Sequence, residues 1–253
     1  MKKLIYPPLG IVLTLLLWHW VCIQFKLPTS ALPTPAQVLD AAIGRWDLLL
    51  SEGWVTLKET LYGFLLALAL GIPIAVAVSN SQTLNLMFSP ILIALQSVPK
   101  VALAPILLVW LGLGIESKLA IAWLVAFFPI VVDTSAGLQS TPRELLELAR
   151  SLRASRWQVF SKVQFPAALP FIVTGSKVAV TLAVIGAVIG EFVGSSEGLG
   201  FLLMSATSQI NSPLAFAALF ALSALGILAY GLVVAIEWLL SPWLPHSHER
   251  SHT

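Results

Sequence analysis

The sequence predicts an all-α, polytopic membrane protein with six transmembrane helices. Three observations carry that prediction. Of 253 residues, 58% are apolar and only 10% charged, a balance far from that of soluble domains. Mean hydropathy is +0.91. Apolar runs of the roughly 20 residues that a bilayer core requires recur along the chain. Lys and Arg total 14 against 12 Asp and Glu, a formal net charge of +2, so neither disorder nor a nucleic-acid surface fits. The single cysteine, Cys22, excludes an internal disulfide.

The first expected span runs from Leu4 to about Phe25 behind Met1, Lys2 and Lys3. No small-x-small cleavage site follows it, so it reads as a retained anchor rather than a signal peptide. His19, Trp20 and Val21 precede Cys22, an unsuitable setting for lipidation, and the cysteine reads as an apolar filler. The outer segment Lys26 to Gly53 opens with Pro28, Pro33 and Pro35 and turns helix-like from Ala36 to Leu50.

The second span is expected over Val55 to Val78, and the third over Leu84 to Leu111, interrupted by Pro90, Pro99 and Pro105. The fourth covers Leu119 to Leu138, the fifth Phe171 to Phe192, and the sixth Leu214 to Leu240. Between the last two, Gly194 to Ser212 is too short to span and too apolar for a free loop. A re-entrant hairpin and a surface helix after a turn account for it equally well. With both termini in the cytoplasm, eight basic residues face inward (Lys2, Lys3, Arg143, Arg150, Arg153, Arg156, Lys162, Arg250) and four outward (Lys26, Arg45, Lys58, Lys118). That asymmetry sets the orientation.

The cytoplasmic segment 139–170 is the most informative. Thr141, Pro142 and Glu144 read as a helix start, with Thr at the N-cap, Pro at the first position and Glu closing a capping box. Leu145, Leu148, Ala149 and Leu152 then fall on one helical face. Glu144, Glu147, Arg150, Arg153 and Arg156 stand between them, with Glu147 and Arg150 spaced to pair. Trp157, Phe160 and Val163 follow, and Pro166 and Pro170 close the segment before span five. Such a helix suits either a headgroup region, where its arginines meet anionic membrane lipid, or docking to a partner. The length and the tight ends favour docking.

The stretch from Glu147 to Pro170, ELARSLRASRWQVFSKVQFPAALP, resembles the EAA loop of ABC importer permeases. Glu147, Ala149, Val163 and Pro166 occupy matching positions. Leu148 replaces the middle alanine. Arg153 stands where the family usually has a glycine, whose freedom permits a tight bend that Arg adopts only at a steric cost. Pro99 to Gly114 (PKVALAPILLVWLGLG) and Gly190 to Gly200 (GEFVGSSEGLG) are similar to segments of permeases for nitrate, sulfonates, taurine and pyrimidine or vitamin precursors. The likeness covers the chain from about residue 28 onward.

The resemblance implies a type I importer permease fold, with residues 1–253 as one permease domain and 139–170 as its coupling loop. It implies a homodimer, two cytosolic ATP-binding subunits, an extracytoplasmic solute-binding protein and a place in the bacterial inner membrane. Glu147, Ala149, Arg150, Arg153, Ala154, Ser155 and Pro166 would dock the ATPase, and its closure would drive alternating access.

No catalytic constellation, cofactor motif or metal site stands out. The chain has no Gly-x-x-x-x-Gly-Lys-Ser/Thr loop and should not hydrolyse ATP itself. His246, His248 and His252 read as part of a polar tail rather than a metal site. Charged groups within spans point to function by default. Lys100, following Pro99, with Gln96, Ser97, Trp110 and Glu191, forms the candidate translocation path. Glu191 would serve an outer gate or a dimer contact. Asp133 and Lys177 are expected to pair with each other, and Glu237 to be interfacial. A self-sufficient channel or secondary transporter is the rival reading, but no internal repeat supports it. A membrane anchor recruiting cytosolic proteins through the same helix is a third.

Overall fold

A computed structural model describes residues 2–240, so His246, His248, His252 and Arg250 lie outside the described residues. Among the described residues the chain forms eleven α-helices and one π-helical turn, with no strand. They are α1 (Lys2–Gln24), α2 (Pro35–Gly44), α3 (Trp46–Asn80), α4 (Gln82–Ser97), α5 (Lys100–Leu111) and α6 (Ile115–Gln139). Then come α7 (Arg143–Ser151), α8 (Arg156–Val159), the π-turn (Phe160–Gln164), α9 (Phe165–Gly194), α10 (Leu199–Ser208) and α11 (Ser212–Leu240).

The core is built where α3 and α9 close on α6. Without a hydrophobic drive between helices in lipid, close packing of small residues holds them together. Ala122 of α6 lies between two glycines. A Cβ on Gly63 would sit 2.5 Å from its Cβ, and one on Gly186 would sit 2.6 Å from its Cα. Ala67, Ala75, Ala126, Ala179 and Ala183 continue this small-residue seam. Large apolar side chains point outward instead, among them Val109, Ile227, Leu228 and Trp238, the surface expected against hydrocarbon.

Among the described residues, four helical stretches are long and apolar enough to cross a bilayer: Trp46–Asn80, Ile115–Gln139, Arg156–Gly194 and Ser212–Leu239. The broken pair α4 and α5, bent by 95°, makes a fifth if taken as one span. The apolar stretch Pro8–Gln24 of α1 lies where the first span is expected but is shorter.

Several sequence expectations are corrected. The second long helix begins at Trp46 rather than Val55, because only Arg45, outside helical geometry, separates it from α2. Of the three prolines expected to interrupt span three, only Pro99 falls at the break, while Pro90 and Pro105 lie inside helices. Pro166 and Pro170 do not end the segment before span five, since helix runs through both. The π-turn carries the chain into them, the Phe165 N–H reaching back to the Phe160 carbonyl. The expected Thr141 cap does not form. The Thr141 hydroxyl is buried and donates to the Leu138 carbonyl, 3.1 Å away, finishing α6. Pro142 then occupies the N-cap of α7 without a side-chain cap. The segment 194–212 holds α10, a helix with Leu199, Gly200, Leu202 and Ala206 buried against its neighbours.

Candidate functional site

At one end of the bundle α7, α8 and the π-turn form the projecting loop. Its base is apolar: Leu138 of α6 packs with Ala168 and Ile172 of α9, and Phe160 and Phe165 pack against them. Helix α7 ends in a Schellman turn. The Arg153 N–H donates to the Arg150 carbonyl (2.9 Å) and the Ala154 N–H to the Ala149 carbonyl (3.0 Å). Arg153 itself sits at φ +55°. The bend that glycine usually makes is therefore kept, with arginine held in the left-handed region. Ser155 then starts α8 with a capping box: its hydroxyl accepts from the Gln158 N–H (3.3 Å), and its own N–H donates to Gln158 Oε1 (2.8 Å).

The sequence-named residues Glu147, Arg150, Arg153 and Ser155 are exposed on this loop, while Ala149 is buried and Ala154 and Pro166 are half-buried. Glu147 and Arg150 do not form the expected ion pair, since each extends from an exposed surface where pairing gains little. Leu145, Leu148, Leu152 and Trp157 are exposed as well. The loop thus presents apolar side chains ringed by charges.

At the opposite end, a buried polar cluster caps α10. Gly198, at φ +103°, opens that helix, and its N–H donates to Glu52 Oε2 (2.5 Å). The Leu199 N–H donates to Thr56 Oγ1 (2.9 Å), and the Gly200 N–H to Glu191 Oε2 (2.5 Å). The Thr56 hydroxyl donates to Glu191 Oε1 at 2.6 Å. Three of the first amides of α10, otherwise orphaned, are met by side-chain oxygens. One turn further along α3, Glu59 pairs with Lys118 at 3.1 Å. Lys118 is only 9% exposed and so is not the outer-loop cation that charge counting makes it.

Glu191, 1% exposed, spends both oxygens inside the chain. Glu52, Thr56 and Glu59 were missed by sequence reasoning, although their spacing of four and three places them on one face of a helix.

Between these ends a cleft of about 340 Å³ opens beside the α4–α5 break, lined by Gln96, Lys100, Phe128, Val132, Asp133 and Leu182 among others. The Lys100 ammonium donates to the Gln96 carbonyl (2.9 Å) and lies 5.2 Å from the centre of the Phe128 ring. Two of the five path candidates, Gln96 and Lys100, line this cleft. Trp110 is 75% exposed, at the far end of α5. Asp133 lines the cleft rather than pairing with Lys177, because Glu237 of α11 takes Lys177 at 2.6 Å.

Residues 67–240 match the family described as "Binding-protein-dependent transport system inner membrane component". A probable ABC transporter permease of Haemophilus influenzae is 36% identical over 94% of this chain and 96% of its own length. The formylaminopyrimidine transport permease ThiX of Halalkalibacterium halodurans is 36% identical over 94% and 95%. Among solved structures, an inward-facing methionine ABC transporter, MetNI, aligns with a TM-score of 0.69 at 23% identity, over 78% of this chain and 98% of that one, which supports the fold. The chain belongs to the binding-protein-dependent transport system inner membrane components, and is a multi-pass permease component of an ABC importer.

Proposed function

We propose that two copies of this chain form the membrane pathway of an importer, each docking one cytosolic ATP-binding subunit through α7 and α8, with an extracytoplasmic binding protein delivering the solute. The observation that carries the docking is the loop surface: Leu148, Leu152 and Trp157 exposed beside Glu147 and Arg150, whose charges are not spent on each other. The solute belongs to the small polar class of nitrate, sulfonates, taurine and pyrimidine or vitamin precursors, a range that includes what the ThiX relative is named for.

In this arrangement six spans place both termini and the loop in the cytoplasm, surrounded by bilayer lipid, and the cleft holding Gln96 and Lys100 belongs to the translocation path. Ser97, Trp110 and Glu191 complete the path residues, Glu191 by holding α10 at the outer end. Hydrolysis belongs to the partner subunit, because the chain lacks a phosphate loop. ATP binding favours one arrangement of the permease pair and hydrolysis releases it.

The test is reconstitution with a cognate ATPase and binding protein. The expected outcome is ATP hydrolysis stimulated by solute-loaded binding protein, with Glu147→Ala and Arg153→Glu reducing that stimulation at least tenfold while the permease still inserts. Unchanged stimulation in both variants would overturn the docking assignment. Solute flux without ATP would favour a channel.

A further inference from the structure

The cleft beside the α4–α5 break has two chemically different walls. On one stand donors. Lys100 keeps two ammonium hydrogens beyond the one given to Gln96. The other wall, on α6, offers acceptors. Asp133 makes no hydrogen bond or ion pair with the described residues. Pro129 has no N–H, so the Val125 carbonyl one turn earlier lacks its helical donor, and both residues line the cleft. Phe128, Val132, Val178 and Leu182 supply the apolar surface between.

A carboxylate left unpaired within a span is costly and calls for a partner. The neighbouring lysines cannot serve: Lys177 is held by Glu237 and Lys118 by Glu59. Among the described residues, Lys100 is the one other charged side chain lining the cleft. The cleft is therefore formally neutral but dipolar, and its volume of about 340 Å³ falls in the range of small-molecule sites. A simple anion gains from Lys100 but meets Asp133. A solute carrying an amine or ammonium together with an acceptor group satisfies both walls.

Resting on the importer reading above, we propose that this cleft is a solute site of the permease itself, and that Asp133 makes it selective for small dipolar solutes bearing an amino group over simple anions. Among the cargo chemistries considered, this favours amino-substituted heterocycles and aminosulfonates over nitrate and plain alkanesulfonates.

Matched probes isolate the amino group: taurine against ethanesulfonate, and 4-aminopyrimidine against pyrimidine. Binding is measured by equilibrium dialysis to the permease–ATPase complex in nanodiscs, without binding protein. At least one aminated probe should bind about tenfold more tightly than its partner, the worth of one charge-assisted hydrogen bond. Asp133→Asn, which keeps the side chain's shape, should remove that preference and leave ethanesulfonate binding equal or tighter.

Equal binding within both pairs by the wild-type complex would overturn the proposal. So would an unchanged preference in Asp133→Asn, or no binding of any probe. The wild-type comparison stands even if the variant fails to fold. Stimulation of ATP hydrolysis by the binding protein, measured on the same wild-type complex, separates the two claims. If it is absent the importer reading fails, whereas stimulation without discrimination defeats only the site.

Discussion

Arg153 shows how a single residue can keep a shape while giving up the side chain best suited to it. At φ +55° an L-residue with a Cβ is disfavoured by roughly 1–2 kcal/mol relative to ordinary helical geometry, a penalty glycine escapes. Two backbone hydrogen bonds of the Schellman turn hold it there. Replacing Arg153 with glycine should stabilise the turn by about 1 kcal/mol, seen as slower hydrogen exchange at the amides of residues 153 and 154. If transport falls despite a firmer turn, the guanidinium contributes to docking through its charge. If transport is unchanged, the residue acts through backbone shape alone.

At the scale of elements, α10 is the clearest case of a helix whose start is built by other helices. Glu52 and Thr56 come from α3 and Glu191 from α9, and together they meet the amides of Gly198, Leu199 and Gly200. Glu191→Ala removes an acceptor from the Gly200 amide and from the Thr56 hydroxyl, both buried. It should destabilise the protein by about 3 kcal/mol, measured as a lowered unfolding temperature in detergent. Glu191→Gln, which keeps one acceptor oxygen, should lose less. If Ala and Gln behave alike, the carboxylate is not what anchors this helix.

For the molecule as a whole, stability rests on the close approach of three helices at Ala122. Gly186→Leu places a branched side chain where even a Cβ would lie 2.6 Å from the Ala122 Cα. Overpacking at such a contact forces backbone movement. The expected result is loss of a monodisperse, protease-resistant species, whereas Gly226→Leu, with open space around it, should be tolerated.

The same contrast explains what was legible in the sequence. Apolar runs located the long helices, and local chemistry foresaw the break at Pro99 and a short charged helix after Pro142, but not that Thr141 would finish α6 or that helix would run through Pro166 and Pro170. Pairings across the bundle were not. Lys177 lies close to Asp133 in the expected topology, yet Glu237 from the last helix takes it. Lys118 looked like a loop cation because charge counting assigns residues to sides by position, while Glu59 draws it inward. Partner choice depends on helix rotation, which a strongly apolar sequence encodes only weakly. The α10 cap was missed for the same reason: a polar stripe on α3 becomes meaningful only once α9 and α10 stand beside it.

The helical stretch from Arg156 to Gly194, the π-turn included, is 39 residues long, about 58 Å along its axis at 1.5 Å per residue. It begins within the projecting loop and ends just past Glu191, where the cap of α10 is made. Moved as one body, such a stretch would act as a lever. A tilt of about 5° around one end carries the other by about 5 Å, close to one helical turn. A small push at the loop is thereby enough, on geometry alone, to strain the hydrogen bonds at the start of α10 without any change within the stretch itself.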